Sequence, residues 1–263
     1  MIARPFIAKW REEVPWKEYA QVEQDLIISR TLVEIFSDGF LRDHLAFRGG
    51  TALYKLYLKP APRYSEDIDL VQVKPGPIKP IMERLAEVIA FFEEDRKTDN
   101  RGHGIKALYR FRSEHEDIRM RLKIEINCQE HFHIKDWVSL PFEVKNGWFQ
   151  GECEIRTYDI NELLGTKLRA LYQRNKGRDL FDLDYARKNI HVDAEEILHC
   201  FRQYMEHGSH SKPPSKKQFL RNIALKEGDP EFSGEMDALF RPGIEYNQEE
   251  AFQWLKNELI GRM

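Results

Sequence analysis

Apolar residues recur along this chain with two different periods, and the periods sort it into elements. Over positions 76–94, Ile78, Ile81, Met82, Leu85, Val88, Ile89 and Phe92 return every three or four residues, the stripe of an amphipathic helix wide enough to face a core. A longer helix is predicted over about 17–36. Over 118–127 the period drops to two: Met120, Leu122, Ile124 and Ile126 fall on one face of a strand, with Arg119, Arg121, Lys123 and Glu125 on the other. A shorter strand is expected over 107–111, and a third where Ile68 and Leu70 alternate with Asp67 and Asp69.

Beyond about residue 160 the pattern becomes helical. Leu163, Leu164, Leu168, Leu171 and Tyr172 give a helix over 161–174 its apolar side, the loop Asn175-Lys176-Gly177 ends it, and another helix starts at Arg178. Further helices are predicted over 194–206, 216–226 and 248–261, separated by Pro213-Pro214 and Pro230. Strands mixed with helices followed by helices alone predict an α/β (α+β) chain of two domains, 1–155 with a mixed sheet and 156–263 helical. The boundary should fall between Cys153 and Asp159.

Composition bounds the function more than it specifies it. With 263 residues, 41% hydrophobic and 12% aromatic, the chain can bury one sizeable core and a second, smaller one. No run approaches the length of a membrane span, and charges interrupt the N-terminal segment where a signal peptide would be apolar, so the cytoplasm is the expected compartment. Cys128, Cys153 and Cys200 are odd in number and widely spaced, which excludes a disulfide framework and a Cys-x-x-Cys metal knuckle. A net charge of −3 excludes a surface coated for nucleic acid throughout.

The basic residues are nonetheless clustered. One segment carries Arg96, Lys97, Arg101, Lys106, Arg110, Arg112, Arg119, Arg121 and Lys123, and another Lys167, Arg169, Arg174, Lys176, Arg178, Arg187 and Lys188. Brought together, they would form a positive channel for triphosphate and RNA backbone; kept apart, each is an ordinary solvated face.

The chemistry concentrates between Phe47 and Leu70. Gly49-Gly50 follows a short apolar piece and precedes a helix-favouring stretch. Glycines let backbone amides approach a phosphate, and Thr51 is placed to cap the helix whose positive end would face the anion. After a Pro-rich turn, the strand bearing Asp67 and Asp69 presents both carboxylates on one face, where they repel unless a cation lies between them. Mg²⁺ (or Mn²⁺) suits such a pair, being hard and taking oxygen ligands from one or two carboxylates plus substrate phosphates. Arg63 and Ser65, just ahead, are candidates for contact with phosphate or ribose, although Ser65 serves equally to make the turn. His131 and His133 lack further ligands at metal spacing and read as loop histidines.

Taken together, GGTALYKLY, RYSEDIDL and KLRALYQRNKGRDLFDL resemble the AbiEii/AbiGii toxin family of minimal nucleotidyltransferases, which includes the MenT toxins. The resemblance spans roughly residues 20 to 190. It implies a DNA polymerase beta-like nucleotidyltransferase core, transfer of a nucleotide from an NTP to an acceptor such as a tRNA 3′ end, and a separately encoded antitoxin. It further implies a third metal-binding carboxylate on a strand neighbouring the aspartates. Glu125 can supply it, or can simply pair across strands with Arg121 or Lys123. Two metals held by Asp67, Asp69 and Glu125 would activate the acceptor hydroxyl and stabilise departing pyrophosphate.

The same resemblance points to Lys167 as a functional lysine able to grip the triphosphate; on the residues alone it reads as a snorkelling surface lysine. It also points to the acids of the Arg178-Asp179-x-x-Asp182 stretch. Asp179, placed to cap a helix and to pair with Lys167 or Arg178, is the first choice over Asp182. Two other functions stay open: an AMP or UMP transferase modifying a protein side chain, and a non-catalytic nucleotide-binding module.

Overall fold

The computed structural model describes residues 2–92, 97–99, 104–114, 116–208, 212–236 and 238–263. The chain divides into two compact units, Met1–Tyr158 and Asp159–Met263. Arg96 and Arg101 lie outside the described residues.

In the first unit, helices α1 (Arg4–Trp10), α2 (Tyr19–Ser37) and α3 (Gly39–His44) lead into strand β1 (Leu45–Arg48), the short helix α4 (Gly49–Ala52) and a π-turn over Leu53–Tyr57. Strand β2 (Asp67–Gln72) and helix α5 (Ile78–Val88) follow, then β3 (Lys97–Asp99), β4 (Gly104–Arg112), β5 (Arg119–Asn127), β6 (Val138–Lys145) and β7 (Gln150–Thr157). Among the described residues, these strands form one seven-stranded mixed sheet in the order β3-β4-β5-β2-β1-β7-β6. The two strands of greatest interest, β2 and β5, run parallel at its centre, and β1 lies antiparallel to β2.

The alternation read from the sequence is the alternation of burial. Ile68 and Leu70 of β2 and Leu122, Ile124 and Ile126 of β5 are buried, while Asp67, Asp69, Lys123 and Glu125 are half-buried on the other face. Strands β6 and β7 were not anticipated. Pro141 sits within β6, which is tolerated because β6 is an edge strand and needs no second ladder. Helix α5 is shorter than its apolar stripe, ending at Val88.

Helix α2 packs against β5, β6 and β7 and is buried on most of its circumference, including polar side chains. Asp25 shows how they are accommodated: it accepts hydrogen bonds from the indoles of Trp10 (2.9 Å) and Trp16 (3.0 Å) and pairs with Lys55 at 2.7 Å. One buried carboxylate thus fastens the N-terminal segment and the π-turn to α2.

The second unit is helical: α6 (Ile160–Gln173), α7 (Gly177–Asn189), α8 (Ala194–Gln203) and α9 (Lys216–Glu227), with α10 (Pro230–Gly234) and α11 (Gln248–Trp254) beyond. Its core is built from Leu164, Leu168, Phe181, Phe201, Phe219 and Phe232 with their neighbours. No helix among the described residues is long and apolar enough to cross a membrane. None of the three cysteines forms a disulfide. Burial pushes the Cys128 thiol up, and burial followed by the Glu154 carboxylate pushes that of Cys153 up to about 12.

Candidate active site

Because β1 and β2 are antiparallel neighbours with Arg48 opposite Asp69, the chain leaving β1 enters α4 directly against the acidic strand. Gly49 makes the turn at φ +82°, in the left-handed region that favours glycine. A Cβ at this position would stand 2.2 Å from Oδ2 of Asp69. The glycine is therefore required twice, by its backbone angle and by the carboxylate packed on it. Gly50 is buried behind it.

Thr51 does not cap this helix. The cap position is Arg48, with no side-chain cap bond, and Thr51 lies inside α4. Its hydroxyl is 2.5 Å from the Asp67 carbonyl oxygen, to which it donates, and 2.8 Å from Ser65 Oγ. Thr51 and Ser65 together lock the start of β2 to α4, which fixes where Asp67 emerges. Arg63 is buried, donates to the Tyr64 carbonyl at 3.0 Å and lies over the Tyr54 ring, 4.8 Å from its centroid.

The parallel register of β2 and β5 sets Asp67 beside Lys123 and Asp69 beside Glu125. Lys123 Nζ lies 2.7 Å from Asp67 Oδ2 and 3.7 Å from Glu125 Oε2, and Glu125 also faces Lys106 at 3.5 Å. Glu125 thus stands beside the aspartates and pairs across the strands with Lys106 of β4 and along its own strand with Lys123, rather than with Arg121. The sequence pointed to Lys123 as a partner for Glu125 but not for Asp67. It falls on the same strand face as Glu125, but only the pairing register puts it against Asp67.

Burial, then the neighbouring Asp67 carboxylate, raises the Asp69 carboxyl above its ordinary range; Lys123 and Arg48 pull it down, and Glu125 adds to the rise. Burial works to lower the Lys123 ammonium, but its hydrogen bond to Asp67 and the charges of Asp67, Asp69 and Glu125 outweigh that and hold it high. The cluster therefore sets three neighbouring carboxylates against Lys123 at its centre, with Lys106 beside Glu125 and Arg48 near Asp69 at its margins. Among the described residues, no group of three or more His, Cys, Asp and Glu side chains is gathered closely enough to cage a metal ion. Two neighbouring carboxylates on one strand face nonetheless fit Mg²⁺, which draws its remaining ligands from water and substrate phosphates. His131 and His133 are spent on the carbonyls of Gln72 (2.8 Å) and Lys135 (2.7 Å).

In the second unit, Lys167 is buried in α6 and pairs with Asp182 at 2.7 Å and Asp179 at 3.5 Å, both fully buried on α7. Asp179 also receives a two-pronged bond from Arg174, at 2.7 and 2.8 Å. Asp179 is not a helix cap, and Arg178 pairs with Glu235 at 3.6 Å rather than with Asp179. The other basic residues of this segment are engaged as well: Lys176 with Glu235, Arg187 and Lys188 with Asp184 and Glu250, and Arg169 with the Tyr204 ring and carbonyl. The second segment is thus a set of internal ion pairs rather than an open positive face.

A family model described as the nucleotidyl transferase AbiEii toxin of a type IV toxin-antitoxin system matches residues 30–258. The chain belongs to this family. It is accordingly a nucleotidyltransferase, and AbiEii membership implies an NTP substrate and an antitoxin partner. Among solved structures, MenT4, a nucleotidyltransferase toxin of Mycobacterium tuberculosis, is similar with a TM-score of 0.67 and 15% identity, covering 100% of this chain and 91% of that one. JHP933 from Helicobacter pylori is similar with a TM-score of 0.56 and 17% identity, covering 94% and 92%. At these identities the likeness is one of fold. No curated protein sequence matches the chain.

Proposed function

We propose that this AbiEii toxin moves a nucleoside monophosphate from an NTP to the 3′ end of an RNA acceptor, tRNA above all, in the cytoplasm and with Mg²⁺ or Mn²⁺. The observation that carries this reading is the juxtaposition of Asp67, Asp69 and Gly49: two carboxylates on one strand face, with a glycine turn packed directly on the second. Asp67 and Asp69 would hold the divalent cation, with Glu125 beside them in register. When bound, that cation supplies charge neutralisation for the triphosphate and the leaving pyrophosphate.

The protein's own residues do the positioning. Thr51 and Ser65 hold the start of β2, Gly49 admits backbone close to Asp69, and Lys123 balances the carboxylates while no substrate cation is present. A preformed, oriented site spares the reaction the cost of arranging its charges. The family resemblance gives Lys167, Asp179 and Asp182 a part in transfer; the lysine is buried and paired with both acids.

Incubation with each labelled NTP and total tRNA tests the proposal. Wild type should label RNA, and Asp67→Asn and Asp69→Asn should not. Equal labelling by wild type and both variants, or none by wild type, would end the reading; label on protein instead would make the acceptor a side chain.

A further inference from the structure

The antiparallel pairing of β4 with β5 places Arg110 directly opposite Arg121, and Arg112 opposite Arg119. Like charges facing each other across a strand pair are destabilising. Nearby the same ladder arranges its charges favourably, with Lys106 opposite Glu125 at 3.5 Å, and Arg112 is neutralised by Asp117, whose Oδ2 lies 3.0 Å from Nη2. Arg110, Arg119 and Arg121 are exposed and pair with no acidic side chain among the described residues. A cost borne without an internal counter-ion is explained by an external one.

The three arginines line a groove of about 730 Å³ with Gln24, Glu66 and Met120. Glu66 is the one acid in that lining, so the groove is net positive, and it precedes Asp67 in the chain. Gln24 closes the gap between β2 and β5 there, its Nε2 reaching the carbonyls of Arg121 (3.1 Å) and Glu66 (3.4 Å). Arg119, Arg121 and Lys123 share one strand face, spaced about 7 Å apart. The positive track therefore runs along β5 to the lysine that touches Asp67.

We propose that this groove binds the phosphodiester backbone of the RNA acceptor and leads it to the carboxylates. The inference rests on the RNA-acceptor reading above and names its docking surface. Cations strung along a strand over two residue pairs suit an extended polyanion better than a compact triphosphate. Arginine serves phosphate through its fork of donors, without reading sequence.

The test is fluorescence anisotropy of a labelled single-stranded oligoribonucleotide against the full chain over a salt series. R110Q/R119Q/R121Q should weaken binding at least about tenfold at low salt and flatten the log K against log salt slope by about two, the loss expected for three phosphate contacts on a single strand. R110K/R119K/R121K should keep most of the slope. Melting of the glutamine variant at or above the wild-type temperature, as removal of like-charge pairs predicts, shows that folding is not the cause. Unchanged RNA affinity and slope, a wild type that does not bind RNA, or a loss confined to NTP binding would each overturn the proposal. RNA binding through the groove together with label transferred to protein would remove the RNA-acceptor reading and leave the groove standing.

Discussion

Gly49 lies so close to Asp69 that a β-carbon on the first would stand 2.2 Å from a carboxylate oxygen of the second. Gly49→Ala therefore meets two penalties, the left-handed backbone at φ +82° and displacement of the aspartate. Stability should fall by roughly 1–3 kcal/mol, and RNA labelling should be lost even where the variant is folded. Urea denaturation together with label transfer checks this; wild-type behaviour in both would refute the double requirement.

Lys123 occupies the place of a counter-ion to Asp67. Lys123→Met leaves the carboxylates less compensated, so without divalent cations stability should drop, by at most about 1 kcal/mol because the pair is partly solvated. The rise in melting temperature on replacing EDTA with MgCl₂ should then be larger than in wild type, since no ammonium competes for the Asp67 oxygen. Equal rises would mean that lysine and cation do not share a position.

The buried Lys167–Asp182 pair separates architecture from chemistry. Lys167→Ala alone removes the buried cation that faces both Asp179 and Asp182 and should cost about 3–5 kcal/mol. Lys167→Met with Asp182→Leu removes both charges and should recover much of that stability. Label transfer by the refolded double variant decides the role: transfer near wild type makes the pair structural, and its absence makes it functional.

Glu23 sets a pH dependence away from the site. It is fully buried, Oε1 accepts from the Glu114 amide at 3.4 Å, and Oε2 has no hydrogen-bond partner among the described residues. Burial raises its carboxyl above the ordinary value of about 4.5. For an acid raised in the folded state, the stability tied to its proton is present below that ordinary value and lost as pH climbs through the folded one. Glu23→Gln should thus stabilise the protein at pH 7 by roughly 1–2 kcal/mol, with the gain vanishing in acid. Melting curves across pH would contradict this if the difference were constant.

Local pattern was enough to find the acidic strand, its face and the glycine turn, because strand alternation and glycine's conformational range act within a few residues. It also found α5, α6 and the switch from sheet to helices. It missed β6 and β7, whose short alternations are broken by Pro141 and Gly151. It also gave Thr51 a capping role, whereas that hydroxyl bonds across to β2.

The amino-acid sequence by itself determined which carboxylates share a face and which segment turns on glycine, since those depend on periods of two and on neighbouring residues. The tertiary structure alone decided that Lys123 meets Asp67, that Glu125 stands beside Asp69, that Arg110 confronts Arg121, and that Lys167 is locked to Asp182. These are matters of register and packing between segments distant in the chain, and a one-residue slip of β5 against β2 would turn every one of its charges to the other face.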